Sequence, residues 1–219
     1  MLTPLLHAAV AGYLLGALPF GWLIARKFGI NIFEHGSKNP GATNVKRVLG
    51  DLFGKKGKRA GDLAFFLDAL KGAAAVGVAK VVAAEWIFHR SGTVAVETMA
   101  ITGLVFALLG HSFSCWTRFK GGKGVATSAG GLIVLLPLPT LLAVVAWVTV
   151  FQVSRYVSLA SIVASVVLPA AAWILDTPTA FAGLASLLGV FVILRHRANI
   201  TRLLNGTENK FVKKTAGNG

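Results

Sequence analysis

Between Gly110 and Gly130 the chain reads Gly-His-Ser-Phe-Ser-Cys-Trp-Thr-Arg-Phe-Lys-Gly-Gly-Lys-Gly-Val-Ala-Thr-Ser-Ala-Gly. Lys120 and Lys123 alternate there with Gly121, Gly122 and Gly124, close to His111 and the Thr127 hydroxyl. Glycine lets successive backbone N–H groups turn toward one ligand and lysine adds positive charge, a composition that suits phosphate. It is not a nucleotide P-loop. Lys123 is followed by Gly124 rather than Ser or Thr, and Thr117 stands where the opening glycine belongs. A phosphate loop and a flexible basic loop touching lipid head groups remain, and His111, Trp116 and Thr127 around it favour the first.

Three more polar groups interrupt the apolar sequence. In 34–47, Gly36 and Gly41 break regular structure, and Ser37, Asn39, Thr43 and Asn44 offer hydrogen-bonding groups beside Lys46 and Arg47. A helix opening at Gly41-Ala-Thr-Asn would leave N–H groups for an anion; a capped turn beside a membrane span fits equally well. Asp68 and Lys71, at i and i+3, stand in an apolar stretch, either as a self-neutralising pair or as part of an anion site. In 195–208, His196, Asn199 and Arg202 recur every three residues, which predicts one face of a helix. An amphipathic helix on anionic lipid is the competing account. No His-x-x-His or Glu-x-x-His pairing suggests a metal, and neither metal nor cofactor is expected.

The elements that must position these groups are membrane spans. Hydrophobic residues make up 55% of the 219 residues and charged ones 14%, against about 25% in soluble domains. A net charge of +14 could attract nucleic acid, but a nucleic-acid binder does not need this much apolar sequence, so none is expected as partner. The single cysteine, Cys115, excludes an internal disulfide. Apolar stretches near Leu5–Ala25, Asp62–Ala84, Val94–Leu109, Val125–Leu136, Pro139–Val153, Ser158–Leu175 and Thr179–Leu194 predict an all-α integral membrane protein of about seven transmembrane helices. Residues 125–153 read as one long helix or two, with Pro137-Leu-Pro139 favouring two. The first stretch lacks a basic start and a small-residue cleavage pattern, so a retained span is expected rather than a signal peptide.

With seven crossings, every basic residue except Arg90, Lys71 and Lys80 falls on one side. The positive-inside rule then puts the N-terminus outside, the C-terminus in the cytoplasm and all the polar groups at the cytoplasmic membrane face. A single domain over 1–219 is expected, with a basic tail from about 205.

Taken in order, several motifs resemble the bacterial membrane glycerol-3-phosphate acyltransferases that use acyl phosphate. They are Gly41-Ala-Thr-Asn-Val45, Leu67-Asp-Ala-Leu-Lys-Gly72, Gly110-His-Ser-Phe113, Phe119-Lys-Gly-Gly-Lys-Gly-Val-Ala-Thr127, Val157-Ser-Leu-Ala-Ser161 and Arg195-His-Arg-Ala-Asn-Ile200. Lys38 and Pro40 depart from that pattern, and the Lys55-Lys-Gly-Lys-Arg59 run is more basic than it requires and suits lipid head groups.

The resemblance implies an enzyme of the bacterial inner membrane. It would move an acyl group from acyl phosphate to the 1-hydroxyl of glycerol 3-phosphate, giving lysophosphatidic acid and phosphate. Membrane lipids and an upstream acyl-phosphate-producing enzyme are the implied partners. It further implies that Ser37, Thr43, Asn44 and the loop of Lys120, Gly121, Gly122 and Gly124 hold phosphate, with Lys123 near the transferring group, and that Asn39, Gly41, Thr127, Ser158, Arg202 and Glu208 also bind substrate. Arg47, Ser161, His196 and Asn199 would help seat glycerol 3-phosphate, and Asp68 and Lys71 would support the floor. The proton acceptor is a substrate phosphate, His111 or His196. Acyltransferases with thioester donors commonly carry His-x-x-x-x-Asp; here Gly12, Pro40, Val94, Trp116 and Thr201 stand at the aspartate position. An anion transporter and a non-catalytic lipid-binding protein are the competing functions.

Overall fold

The computed structural model describes residues 2–90 and 96–211. Among them every regular element is helical: α1 Leu2–Ala17, α2 Phe20–Lys27, α3 Ala42–Arg90, α4 Val96–Ser112, α5 Val125–Leu135, α6 Pro137–Ser154, α7 Val157–Ile174, α8 Thr179–Arg195 and α9 Arg197–Leu204. Val94, expected to open the third of the seven apolar stretches, and the basic tail beyond 211 lie outside the described residues. Among the described residues, four helical stretches are long and apolar enough to cross a membrane, or five if the bent pair of α8 and α9 counts as one. They include α1 with α2, α4, α6 and α7.

The stretch expected as one helix from Leu5 to Ala25 is broken instead. Pro19 lacks an N–H and sits at φ −92°, ψ 66°, so α1 stops at Ala17 and α2 restarts at Phe20. Residues 125–153 are indeed two helices, parted at Leu136, with Pro137 and Pro139 in the first turn of α6, where the missing N–H costs nothing.

Helix α3 runs through Gly54, whose φ of 56° and ψ of −131° are open to glycine and reverse the chain. Residues 42–53 fold back along the residues after 54. A methyl at Gly57 would overlap the Leu49 carbonyl, one at Gly61 would overlap the Lys46 backbone, and Lys46 Nζ reaches Asp62 Oδ1 at 2.5 Å.

The chain forms two compact units, residues 1–137 and 138–219. In the first, α1 packs on α4, while α3 packs on α1, α2, α4 and α5. Apolar surface is not what draws helices together in lipid, so close backbone approach has to supply the contact. Side chains at Gly16 and Gly110 would overlap Ala107 and Tyr13 between α1 and α4; at Gly72 and Gly130 they would overlap Thr127 and Ala69 between α3 and α5. In the second unit α7 packs on α8 and α9. The α8–α9 axis bends by 57° between Arg195 and Arg197.

Candidate functional site

In residues 1–137 the polar groups are assembled on the α3–α4 pair. Asp68 and Lys71 are 2% and 3% exposed, and Lys71 Nζ lies 2.7 Å from Asp68 Oδ1. The break at Pro19 turns the Leu18 carbonyl out of the helical ladder, and Lys71 Nζ donates to it at 2.8 Å. The ammonium also stands 5.6 Å from the centre of the Phe20 ring. His111, at the end of α4, brings Nδ1 to 3.6 Å from the same Asp68 oxygen. Two of the expected groups, the buried pair and His111, are therefore one charged assembly.

The glycine-rich loop closes over it. Arg118 and Phe119 take left-handed φ values of 54° and 60°, turning the chain out of a short 3-10 turn at Cys115–Thr117. Thr117 Oγ1 donates to the Lys120 carbonyl at 2.7 Å, and the Gly122 N–H donates to the His111 carbonyl at 3.1 Å. Gly124, at φ 86°, starts α5. Asn39 ties in the other loop: its Oδ1 accepts from Gly41 N–H at 2.8 Å and its Nδ2 donates to the Gly121 carbonyl at 3.4 Å. A recess of about 240 Å³, counting space open to solvent, is lined by Pro19, Phe20, Pro40, Asp68, Lys71, His111, Lys120 and Gly121.

Not every expected residue offers its polar atoms to that recess. Asn44 is 3% exposed and spends its amide on the 35–44 loop, accepting from Ser37 N–H and donating to the carbonyls of His35 and Asn39. Thr127 is fully buried where α5 meets Gly72 of α3. Asn44 shapes its loop, whereas Thr127 packs between two helices. Ser37 and Lys120 are exposed; Thr43, Arg47 and Lys123 are half-buried.

In residues 138–219 a second polar group is built around one carboxylate. Glu208 Oε1 accepts from Ser158 Oγ at 2.8 Å and Asn199 Nδ2 at 2.7 Å, and its Oε2 accepts from Arg202 Nε at 2.7 Å. Burial pushes the Glu208 carboxyl up, but those hydrogen bonds and the Arg202 charge outweigh it and hold the group below the usual carboxylate range. Phe211 fastens the segment that carries Glu208: its N–H donates to the Arg155 carbonyl at 3.0 Å and its ring meets Phe151 edge-on at 5.9 Å. Ser161 is engaged too, accepting from Trp147 Nε1 at 3.1 Å and donating to the Val157 carbonyl at 2.8 Å.

The single helix face expected for His196, Asn199 and Arg202 is not found. His196 sits at the bend, outside both helices, and its N–H and ring return to α8. The ring Nδ1 meets the Val192 carbonyl at 2.7 Å. A carbonyl can only accept, so the neutral ring carries its proton on Nδ1 and Nε2 is the basic nitrogen.

Known proteins match this chain along nearly its whole length. A family model described as glycerol-3-phosphate acyltransferase matches residues 6–206. The chain belongs to the glycerol-3-phosphate acyltransferase family. A protein of that name from Mesorhizobium japonicum is 44% identical over 96% of this chain and 97% of its own. Another, from Allorhizobium ampelinum, is 41% identical over 97% and 95%. Among solved structures, the integral membrane acyltransferase PlsY in its glycerol 3-phosphate form superposes with a TM-score of 0.81 at 35% identity, covering 95% of this chain and 96% of that one. Its lysophosphatidic acid form gives 0.78 at the same identity.

For a member of this family, the groups the sequence left unmarked are those that hold other residues. The Leu18 carbonyl and the Phe20 ring were signalled only by a proline inside an apolar run. Trp147 and Phe211 carried no signal. The Glu208 clasp has a measurable signature. Because its folded carboxyl is held low, the stabilisation is full above the unfolded value of about 4.3 and is lost as pH falls below it. Glu208→Gln is expected to cost about 2 kcal/mol at neutral pH, the worth of hydrogen bonds to a charged group. It should also flatten the acid limb of a plot of melting temperature against pH. Identical acid limbs in the two proteins would remove this account of the clasp.

Proposed function

We propose that this chain transfers an acyl group from acyl phosphate to the 1-hydroxyl of glycerol 3-phosphate in the bacterial inner membrane, without a covalent acyl-enzyme. The observation that carries the reading is the recess in residues 1–137. There a glycine-rich loop with Lys120 and Lys123 is fixed against His111 and bridged to the 36–44 loop by Asn39. Such a loop can present N–H groups and ammonium charge to a phosphate. Family membership supplies the class of substrate.

In the reaction, the 1-hydroxyl oxygen bonds to the acyl carbonyl carbon and the bond from that carbon to the phosphate oxygen breaks. Inorganic phosphate leaves, and the hydroxyl proton passes to a base: a substrate phosphate, His111 or Nε2 of His196. Acyl phosphate is an activated mixed anhydride, so positioning and charge neutralisation can supply much of the barrier reduction. Ser37, Thr43, Lys120 and N–H groups of the 120–124 loop hold phosphate, with Lys123 at the transferring group and the Gly122 N–H, bonded to the His111 carbonyl, fixing the loop. Asn39, Gly41 and Asn44 hold the loops in shape, and Thr127 packs α5 against Gly72 of α3. Asp68 and Lys71 form the floor. Arg47, Ser161, His196 and Asn199 are assigned to glycerol 3-phosphate, and within residues 138–219 Glu208 holds Ser158, Asn199 and Arg202.

The same reading assigns seven crossings to α1 with α2, the later part of α3, α4, α5, α6, α7 and α8, with the N-terminus outside and the chemistry at the cytoplasmic face. The family match from 6 to 206 supports one acyltransferase domain over 1–219. An upstream enzyme that makes acyl phosphate completes the scheme.

The test offers purified protein glycerol 3-phosphate with acyl phosphate, acyl-CoA or acyl carrier protein donors. Lysophosphatidic acid and phosphate are expected with acyl phosphate alone. Turnover only with thioesters would sink the donor assignment, and phosphate uptake into vesicles without acyl transfer would favour a transporter.

A further inference from the structure

The Gly54 reversal leaves a helical hairpin whose tip the acyl-transfer chemistry does not use. Leu52 and Phe53 are 56% and 42% exposed at the tip. Lys55, Lys56, Lys58 and Arg59 follow at once and are all exposed. Asp62 is occupied by Lys46, leaving Asp51 as the other acid beside the tip. No carboxylate pairs with Lys55, Lys56, Lys58 or Arg59 among the described residues. The tip is also braced: Phe53 packs on Phe28 at 5.0 Å, Lys56 lies 5.8 Å from the centre of the Phe28 ring, and the exposed Arg26 and Lys27 precede it on α2.

With the later part of α3 crossing the membrane, as in the topology proposed above on which this step rests, height along α3 places these cations. The apolar stretch of α3 begins near Asp62, and at ~1.5 Å per residue Arg59 and Lys58 stand roughly 5–6 Å beyond it and Lys55 about 10 Å. The head-group layer spans roughly 5–7 Å beyond the hydrocarbon on each side. The cations therefore fall at and just above phosphate level, with two apolar side chains beside them.

We infer that the Leu52–Arg59 hairpin tip is a docking surface for anionic phospholipid head groups, separate from the acyl-transfer recess. Charge complementarity selects the partner. Each cation near an anionic surface contributes about fivefold in affinity, and the attraction fades with salt. The braced tip holds its cations side by side, so lipids carrying a phosphate with net negative charge gather there in preference to zwitterionic ones.

The test reconstitutes the full chain in vesicles of phosphatidylcholine with phosphatidylglycerol and counts the lipids retained after extraction by native mass spectrometry. Wild type is expected to hold phosphatidylglycerol at least about fivefold above its share of the vesicle. The quadruple variant Lys55→Ser, Lys56→Ser, Lys58→Ser, Arg59→Ser should hold it near that share while keeping its acyl-transfer rate in phosphatidylcholine. Should that variant fail to fold, wild type extracted at about 0.5 M salt must lose the enrichment that it shows at about 0.05 M. Equal enrichment in wild type and variant, or enrichment indifferent to salt, overturns the inference. Lysophosphatidic acid in a second vesicle set separates the sources: retention of both anionic lipids supports the surface, whereas retention of lysophosphatidic acid alone assigns the binding to the recess and overturns it.

Discussion

Lys71→Met is expected to unfold much of the protein under conditions where wild type is stable. The substitution keeps the length of the side chain and removes its charge, leaving Asp68 as a carboxylate 2% exposed inside the helix bundle. Breaking a buried pair by deleting one partner costs about 3–5 kcal/mol, because the remaining charge has lost both water and counter-ion. Stabilities of only 5–15 kcal/mol make that a large share. The Leu18 carbonyl also loses a donor and the Phe20 ring its cation. The double variant Asp68→Leu with Lys71→Met removes both charges and should recover most of the stability, since apolar replacements of buried pairs are often neutral. It should not recover activity, because His111 then has no carboxylate at 3.6 Å to orient it. Thermal unfolding in detergent, read by size-exclusion recovery after heating, checks the stability half; acyl transfer checks the other. A Lys71→Met protein that melts with wild type would show that the pair carries no such burden.

That prediction could not have been written from the sequence, although both residues were marked there. Charge in an apolar helix is legible because it is costly in a membrane, and a three-residue spacing gives the pairing. What the pair touches is not. The Leu18 carbonyl becomes an acceptor because Pro19 breaks the first span, and His111 arrives from a helix forty residues later. The glycines show the same boundary. Gly121, Gly122 and Gly124 stood out by crowding between lysines, whereas Gly54 looked like any other glycine in a glycine-rich chain yet reverses α3. At the other end, a three-residue repeat suggested that His196, Asn199 and Arg202 share a helix face. The chain bends by 57° at His196 instead, and Glu208, a lone acid in a basic stretch, gathers Asn199 and Arg202. Local chemistry was legible wherever residue type was expensive; contacts that depend on where a helix breaks were not.

Gly121→Ala is expected to lower kcat by roughly 100-fold or more while leaving most of the protein folded. A methyl at Gly121 would overlap the His111 carbonyl and crowd the Ser112 backbone, so the loop must lift away from the end of α4. Lifting it strains the 3.1 Å bond from Gly122 N–H to that carbonyl and the 3.4 Å bridge from Asn39 to the Gly121 carbonyl. The phosphate-facing N–H groups and Lys123 then shift together, and a displacement of about 1 Å in a positioned group can cost 10²-fold. The fold should survive, since Gly121 lies in a half-buried loop rather than between packed helices. The neighbouring substitution separates loop position from the histidine. A methyl at Gly122 would overlap His111 Nε2, a ring atom, so Gly122→Ala presses on the imidazole itself. If His111 takes the proton, Gly122→Ala should change the pH dependence of kcat and Gly121→Ala should lower kcat at every pH alike. If His111 only holds the loop, both variants should lose rate with the wild-type pH profile. Steady-state kinetics with acyl phosphate across pH reads all of these outcomes, and wild-type kcat in Gly121→Ala would detach the loop from the chemistry.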